Sequence, residues 1–395
     1  MALIDGIRAD AEAARRALPQ LDDVAVATAL LDAAGRLHSE RASVLAANAA
    51  DIEAADLDEA TLDRLRLTEA QLDDAAAQLR SLAELPPLER NGDTWTLPNG
   101  LVVSEHRIPV GVVGANFEAR PLVALDIAGQ LLKSLNACVL RTGGAALRSV
   151  TALVDRVLHP ALTSAGVPTE AVALVRSSSH DGANALVSLP GVVPLAILRG
   201  SGESTAALAR TAAAHGVQVL AHAEGGGVLY VDAAADPSRA DAIVRASLDR
   251  LGVCNRLNVL LVHRDARFDL TVLDALGIEA VADAPLRREW LDGHVTVRTV
   301  GSLDEAVQLA NEQTSGLAAG IVTEDGEVAR AFLDTYRGTA AFWNAPTRFT
   351  DGAALTGAPE TGINVGWAPG PRGPVGYRDL WLRQLRVVGD GTQRR

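Results

Sequence analysis

The segment Gly252-Val253-Cys254-Asn255-Arg256 sets a thiol between a small-residue turn and a polar side chain, just ahead of the apolar run Leu257 to His263. A nucleophile belongs in such a place, on a loop backed by a buried strand. The same segment also fits an inert core cysteine, because free thiols are among the most buried side chains. Two cysteines, Cys138 and Cys254, cannot build a disulfide framework, and no Cys/His cluster has the spacing of a zinc site. Cys138, inside Ala137-Cys138-Val139-Leu140, reads as strand interior.

Polar groups gather at further points. Asn116-Phe117-Glu118-Ala119-Arg120-Pro121 ends an apolar strand and opens a helix, with proline at the first helical position. Asn116 can donate to an oxyanion there, and Arg120 can bind a carboxylate or phosphate. A weak surface Arg–Glu pair is the plainer alternative. Gly143-Gly144 and Gly200-Ser201-Gly202 are strand–glycine–helix turns that could offer helix amides to a phosphate, although tight turns use glycine anyway. The loop Asn344-Ala345-Pro346-Thr347-Arg348 leaves a strand as a polar rim. Glu224-Gly225-Gly226-Gly227 ends another strand, where three glycines allow close backbone approach to a ligand or form a solvated loop.

These residues need elements to hold them. A chain of 395 residues has room for two or three domains, and 48% apolar content with 3% aromatics means cores of Ala, Val and Leu. Residues 1 to 90 read as several helices closed by Pro86-Pro87, and Asn99-Gly100 between β-prone runs predicts a hairpin over 93–107. From Val110 to Ala221 apolar strands alternate with helices, which predicts a parallel sheet covered on both faces, with ligands at the carboxyl ends of its strands. A second α/β block runs from Val228 to about Trp343. The tail is rich in Gly and Pro until Trp381 to Val388, a strand that could pair with the early hairpin. A net charge of -13 argues against nucleic acid or an anionic membrane as partner, and leaves room for an anionic small molecule held by local arginines. With no signal-like apolar region and no run of about 18 apolar residues, a cytoplasmic protein is expected.

In order along the chain, Gly111-Val112-Val113-Gly114, Phe117-Glu118-Ala119-Arg120-Pro121, Leu132-Lys133-Ser134, Gly252-Val253-Cys254-Asn255, Thr347-Arg348-Phe349-Thr350-Asp351-Gly352 and Arg372-Gly373-Pro374 resemble the γ-glutamyl phosphate reductases, a branch of the aldehyde dehydrogenase superfamily. The resemblance implies an α/β fold with a Rossmann-type cofactor domain (1–91 and 108–227) and an α/β catalytic domain (228–351). It also implies a small oligomerisation element (92–107 and 378–395), while 352–377 returns irregularly to the cofactor domain. It implies NADP, with NAD possible, and a homo-oligomer, dimer or tetramer. In the chemistry it implies, Cys254 attacks an acyl phosphate, phosphate leaves, and the thioester is reduced to a semialdehyde. No metal is required.

Carried over residue by residue, the resemblance makes Cys254 and Asn116 catalytic. It makes Glu118, Arg120, Asn255, Asn344, Thr347, Arg348 and Arg372 substrate-binding. Arg141, Gly143, Gly144, Arg199, Gly200, Ser201 and Gly225 become cofactor-binding. Several positions depart from the reductase pattern: only one basic residue survives in Ala246 to Leu251, and Gly316-Leu317-Ala318 replaces a more polar segment. Ser315-Gly316-Leu317-Ala318-Ala319-Gly320 and Glu224-Gly225-Gly226-Gly227 are instead similar to ordinary aldehyde dehydrogenases, which would make Glu224 a general base. The alternatives are therefore a dehydrogenase or acyl reductase with another substrate, or a non-catalytic family member.

Overall fold

The computed structural model describes residues 2–200, 202–222, 225–366 and 370–392. Two compact units are present: residues 1–221, 358–362 and 375–395 form the first, and residues 222–357 and 363–374 the second.

The first unit opens with the helices Ala2–Ala17, Asp23–Ser39, Arg41–Ala54, Glu59–Leu65 and Glu69–Glu84. Their starts follow from side-chain caps: Asp22 accepts from the amides of Val24 and Ala25, and Thr68 and Gln71 form a reciprocal capping box. Lys133 is the single lysine of the chain. It is buried and donates to the carbonyls of Ala83 and Leu85 at 3.1 and 2.6 Å, satisfying the end of the last of these helices.

Strands β1 (Asn91–Thr96) and β2 (Val102–Pro109) form the expected hairpin. Gly100 in its turn has φ 86°, which a side chain would resist. Five strands follow: β3 (Val112–Phe117), β4 (Ala137–Thr142), β5 (Val172–Leu174), β6 (Leu195–Arg199) and β7 (Gln218–His222). They make a sheet of order β5-β4-β3-β6-β7, with β3 parallel to both β4 and β6. The order reverses between β3 and β6, the kind of switch point beside which open parallel sheets bind ligands. Helix Val123–Lys133 covers one face almost entirely through buried residues.

The second unit holds β8 (Gly227–Val231), β9 (Leu257–His263), β10 (Glu279–Val281), β11 (His294–Val300), β12 (Ala318–Val322) and β13 (Ala340–Trp343). Its sheet has the order β10-β11-β9-β8-β12-β13, with parallel pairing throughout. Two apolar clusters cover its faces, one around Tyr230, Leu261 and Phe332, the other around Leu229, Val244 and Leu260. The short strands β14 (Gly362–Asn364) and β15 (Gly373–Val375) pair with each other. The last strand, β16 (Trp381–Val388), lies antiparallel to β2 along its whole length, as expected from sequence.

Candidate active site

Cys254 sits in a tight turn ahead of β9, closed by the Arg256 amide donating to the Val253 carbonyl at 3.3 Å. Gly252 enters that turn at φ 73°, and its amide donates to the Leu291 carbonyl at 2.9 Å. The thiol is half-buried and packs against a cluster of Leu317, Ala318, Phe342 and Ile363. Cys138, by contrast, lies wholly buried in β4, and burial pushes its thiol well above the usual range. Of the two thiols, Cys254 alone combines access with a loop setting.

The glycine run explains how the turn is held. A methyl group on Gly225 would overlap the Glu289 carboxylate and stand 2.6 Å from the Cys254 Cβ. Gly226 has φ 105°, and its amide donates to the Cys254 carbonyl at 2.6 Å. A methyl on Gly227 would strike the Thr347 side chain. The run is thus packed against the nucleophile loop on three sides. Gly225, expected from the resemblance to hold cofactor, stands here as a packing contact of Cys254. Glu224 and Ser201 lie outside the described residues.

Asn255 fastens the same turn. Its Nδ2 donates to the carbonyls of Arg348 and Thr350 at 2.9 and 3.1 Å, and its Oδ1 accepts from the Arg348 guanidinium. The Thr347 hydroxyl donates to the Asn255 carbonyl at 3.1 Å, and Arg348 Nε donates to Asp249 at 2.7 Å. Asn255 and Thr347 are buried and spend these polar atoms on neighbouring protein groups. Arg348, held by Asp249 and Asn255 yet partly exposed, keeps an edge for an anion.

Asn344 has its own partner. It follows β13 at φ 52°, and its amide closes a pair with the backbone of Thr323, accepting at 3.1 Å and donating at 3.0 Å. Thr323 follows β12, so Asn344 works at the carboxyl ends of strands whose amino ends neighbour Cys254. Arg372 donates to the carbonyls of Arg337 and Val365 at 2.6 and 3.3 Å, tying chain segments together.

In this unit the nucleophile, the glycine run and the Ser315-Gly316-Leu317 segment all lie at the amino ends of β9, β8 and β12. Glu289, which sequence reading missed, brings a carboxylate to Gly225 beside Cys254 from 35 positions along the chain; no local pattern marks it. Arg256 was also missed as a buried cation: it is 1% exposed, donates to the His294 carbonyl at 2.9 Å, and has no partner for Nε or Nη2 among the described residues.

In the first unit, polar groups converge at the carboxyl ends of β3, β4 and β6. Asn116 ends β3 and is buried; its Oδ1 accepts from Arg141 Nη1 at 3.0 Å. Arg141 is 2% exposed and its Nη2 donates to the Ser179 carbonyl at 3.1 Å. Burial pushes its guanidinium down from its ordinary value, and Glu118 pulls it up. Glu118 accepts from the Ser204 hydroxyl at 3.0 Å and stands 3.1 Å from where a methyl on Gly200 would lie. Glu118 therefore faces the Gly200 turn. Between Glu118 and the exposed Arg120, Ala119 holds φ 46°, a strained conformation for a residue with a side chain.

After the Gly143-Gly144 turn, two amides of the following helix are occupied: the Asp51 carboxylate accepts from the amides of Arg148 and Ser149 at 3.3 and 2.7 Å and from the Ser149 hydroxyl at 2.7 Å. What fits a nucleotide at the switch point is a mixed donor set. Arg199 carries a half-buried charge, Glu118 a carboxylate able to accept from hydroxyls, and the Thr142 hydroxyl is buried with no partner among the described residues. Arg199 also opposes Asp126, whose carboxyl burial has pushed up to about 6.

Among the described residues no group of His, Cys, Asp and Glu could hold a metal ion, and no helix is long and apolar enough to cross a membrane.

Comparison with known proteins agrees with this architecture. The model of the Aldehyde dehydrogenase family matches residues 5–275 and 294–370. A γ-glutamyl phosphate reductase of Clavibacter michiganensis is 39% identical, over 94% of this chain and 89% of its own. γ-Glutamyl phosphate reductase 2 of Bacillus licheniformis is 34% identical, over 93% and 92%. The crystal structure of γ-glutamyl phosphate reductase from Thermotoga maritima superposes with a TM-score of 0.92 at 27% identity, covering 98% of this chain and all of that one. With its half-buried thiol, its switch-point strand order and these relatives, the chain belongs to the aldehyde dehydrogenase family of oxidoreductases, in the γ-glutamyl phosphate reductase branch.

Proposed function

We propose that this chain reduces the acyl phosphate of an amino-acid side chain, glutamyl 5-phosphate or an analogue, to the semialdehyde with NADPH. The observation that carries the reading is the accessible Cys254, held by Asn255 and the glycine run near the Glu289 carboxylate, in a chain whose relatives bear the name γ-glutamyl phosphate reductase.

The Cys254 thiolate attacks the acyl carbon, the C–O bond to phosphate breaks, and phosphate leaves with the bonding pair, giving a thioester. Asn116, by the resemblance, is the donor proposed for the oxyanion that forms on the acyl oxygen. Arg348 and the exposed Arg120 supply positive charge for the substrate's phosphate and α-carboxylate. Arg199, Glu118 and Thr142 hold the nucleotide, and the cofactor, when bound, supplies the hydride that converts a thioester to an aldehyde. Collapse of the resulting tetrahedral adduct breaks the C–S bond and returns the Cys254 thiolate. Glu289, next to the thiol, is placed to accept its proton when the thiolate forms.

Arginines around the nucleotide favour NADP over NAD. The sheet β1-β2-β16 leaves Leu382, Leu385, Val387 and Val388 exposed, which suits burial between copies of the chain in a homo-oligomer, a state sedimentation velocity reads directly. The nucleophile assignment is tested with iodoacetamide. One thiol per native chain, Cys254, should react and abolish turnover, while Cys138 reacts only after denaturation. Loss of activity with Cys254 unmodified, or an unreactive Cys254, contradicts the mechanism.

A further inference from the structure

We propose that Asn258 is a positioning residue for the proton acceptor: its amide clamps the backbone on both sides of Glu289 and so holds that carboxylate beside the Cys254 turn. The inference deepens the reading above and rests on the role given there to Glu289. The clamp itself is independent of that role, and all of it lies within the second unit.

Strand β9 begins with an irregularity. Gly227 of β8 pairs with Leu257 and Val228 with Val259, so Asn258 is left between them as a one-residue bulge. A bulged residue leaves the ladder and its side chain is re-aimed, which is why bulges recur beside active sites. Here the side chain is 3% exposed and meets the segment that joins β10 to β11. Its Oδ1 accepts from the Trp290 amide at 2.6 Å, and its Nδ2 donates to the Arg288 carbonyl at 2.5 Å. One side chain thus satisfies the backbone immediately before and immediately after Glu289. A carboxylate could not donate to that carbonyl, and an aliphatic side chain would forfeit both bonds.

Further contacts complete the hold. The Gly252 amide donates to the Leu291 carbonyl at 2.9 Å, which ties the same segment to the turn carrying Cys254. The Trp290 indole is buried, donates to the Thr296 hydroxyl at 2.8 Å, and lies 4.0 Å under the Arg288 guanidinium. The backbone is therefore pinned at residues 288, 290 and 291, around a carboxylate that shares with the Cys254 Cβ the space a methyl on Gly225 would take. Nearby charges are engaged elsewhere. Arg256 donates to the His294 carbonyl, Asp292 accepts from the His294 amide, and Arg348 is held by Asp249 and Asn255. A general base works only within hydrogen-bond reach of the proton it takes, so a loosened Glu289 loses efficiency even with its carboxylate intact.

The test is a double-mutant cycle of Glu289→Gln and Asn258→Ala in the full chain. Its readout is kcat/KM for NADPH formation from glutamate 5-semialdehyde with NADP⁺ and phosphate, with circular dichroism to confirm the fold. Glu289→Gln should lower kcat/KM by about 10²-fold or more at about pH 6.5, and by far less at about pH 9, where the thiol ionises without help. Asn258→Ala should lower it by about 10-fold or more, with the same recovery at high pH, and should add nothing to Glu289→Gln. Asn258→Ser, which offers one oxygen in place of an oxygen and a nitrogen, should fall between wild type and alanine and serves if the alanine variant does not fold. A deficit in Asn258→Ala that does not change with pH, or effects that add in the double variant, would overturn the positioning role. If Glu289→Gln is slow while Asn258→Ala and Asn258→Ser are normal, the proton-acceptor reading stands and the positioning role falls. If Glu289→Gln is itself normal at low pH, the proton-acceptor reading falls and takes this proposal with it.

Discussion

Replacing Asn255 by alanine should uncouple the nucleophile turn from the segment that follows Pro346. The side chain is 6% exposed and makes three hydrogen bonds: two donated to the carbonyls of Arg348 and Thr350, and one accepted from the Arg348 guanidinium. Each neutral bond contributes about 1 kcal/mol net and the charged one about 2 kcal/mol. Arg348 keeps Asp249 and some exposure to water, which offsets part of the charged contribution. A loss of about 3 kcal/mol for the second unit follows. At a urea dependence of about 2 kcal/mol per molar, the midpoint of the transition reporting that unit should fall by about 1.5 M. Asn255→Asp sharpens the test: it retains the acceptor toward Arg348 but sets a carboxylate oxygen against two carbonyls, so it should not restore what alanine loses. Urea titration read by tryptophan fluorescence, alongside the rate of Cys254 alkylation, measures both consequences. An Asn255→Ala protein with an unshifted midpoint and normal alkylation would refute the claim that this side chain holds the turn.

Gly225→Ala should leave circular dichroism unchanged and lower kcat/KM by about 10²-fold or more, because the added methyl cannot avoid the Cys254 Cβ and a displacement of about 1 Å is enough for such a loss. Normal turnover in that variant would mean the close packing is unimportant. Asp126 gives a pH prediction. Its carboxyl rises from 3.8 to about 6 on folding, chiefly by burial, so the native state holds the proton more tightly than the unfolded chain between those values. Stability therefore falls as pH rises through that window, and the full penalty is present above about 6. Asp126→Asn should stabilise the first unit by about 1–2 kcal/mol at pH 7.5, allowing for the lost attraction to Arg199, and by nothing resolvable at pH 4. Equal thermal-melt shifts at both pH values would contradict the burial argument.

Much of the scaffold was legible because it is written locally. Asn99-Gly100 between β-prone runs became the β1–β2 turn, and the alternation of apolar runs with helical spacing after Val110 became the five-stranded sheet. Cys254 was legible as a thiol ahead of a buried strand. What sequence reading missed depends on contacts between residues far apart. Strand β8 follows directly on three glycines, whose weak strand preference hid it. The polar run from Asn344 to Arg348 looks like one rim. Yet Asn344 is spent on Thr323, Thr347 is sealed against Gly227 and Asn255, and Arg348 retains partial exposure. A glycine that meets a ligand and a glycine that packs on a cysteine have the same sequence signature, and the packing of Gly225 on Cys254 is visible only in the fold. Glu289 and Arg256 carry charges whose function depends on burial and on distance to Cys254, neither of which is encoded in spacing.

The central claim is that Cys254 exchanges an acyl group with phosphate. It is tested most directly by following NADPH formation from glutamate 5-semialdehyde and NADP⁺, with and without inorganic phosphate, in the wild type and in Cys254→Ala. The mechanism predicts turnover that requires both phosphate and Cys254. Turnover at the same rate without phosphate would mean water resolves the thioester and the chain is an acid-forming dehydrogenase. A folded wild-type protein with no Cys254-dependent turnover in the presence of phosphate would contradict the proposed reaction altogether.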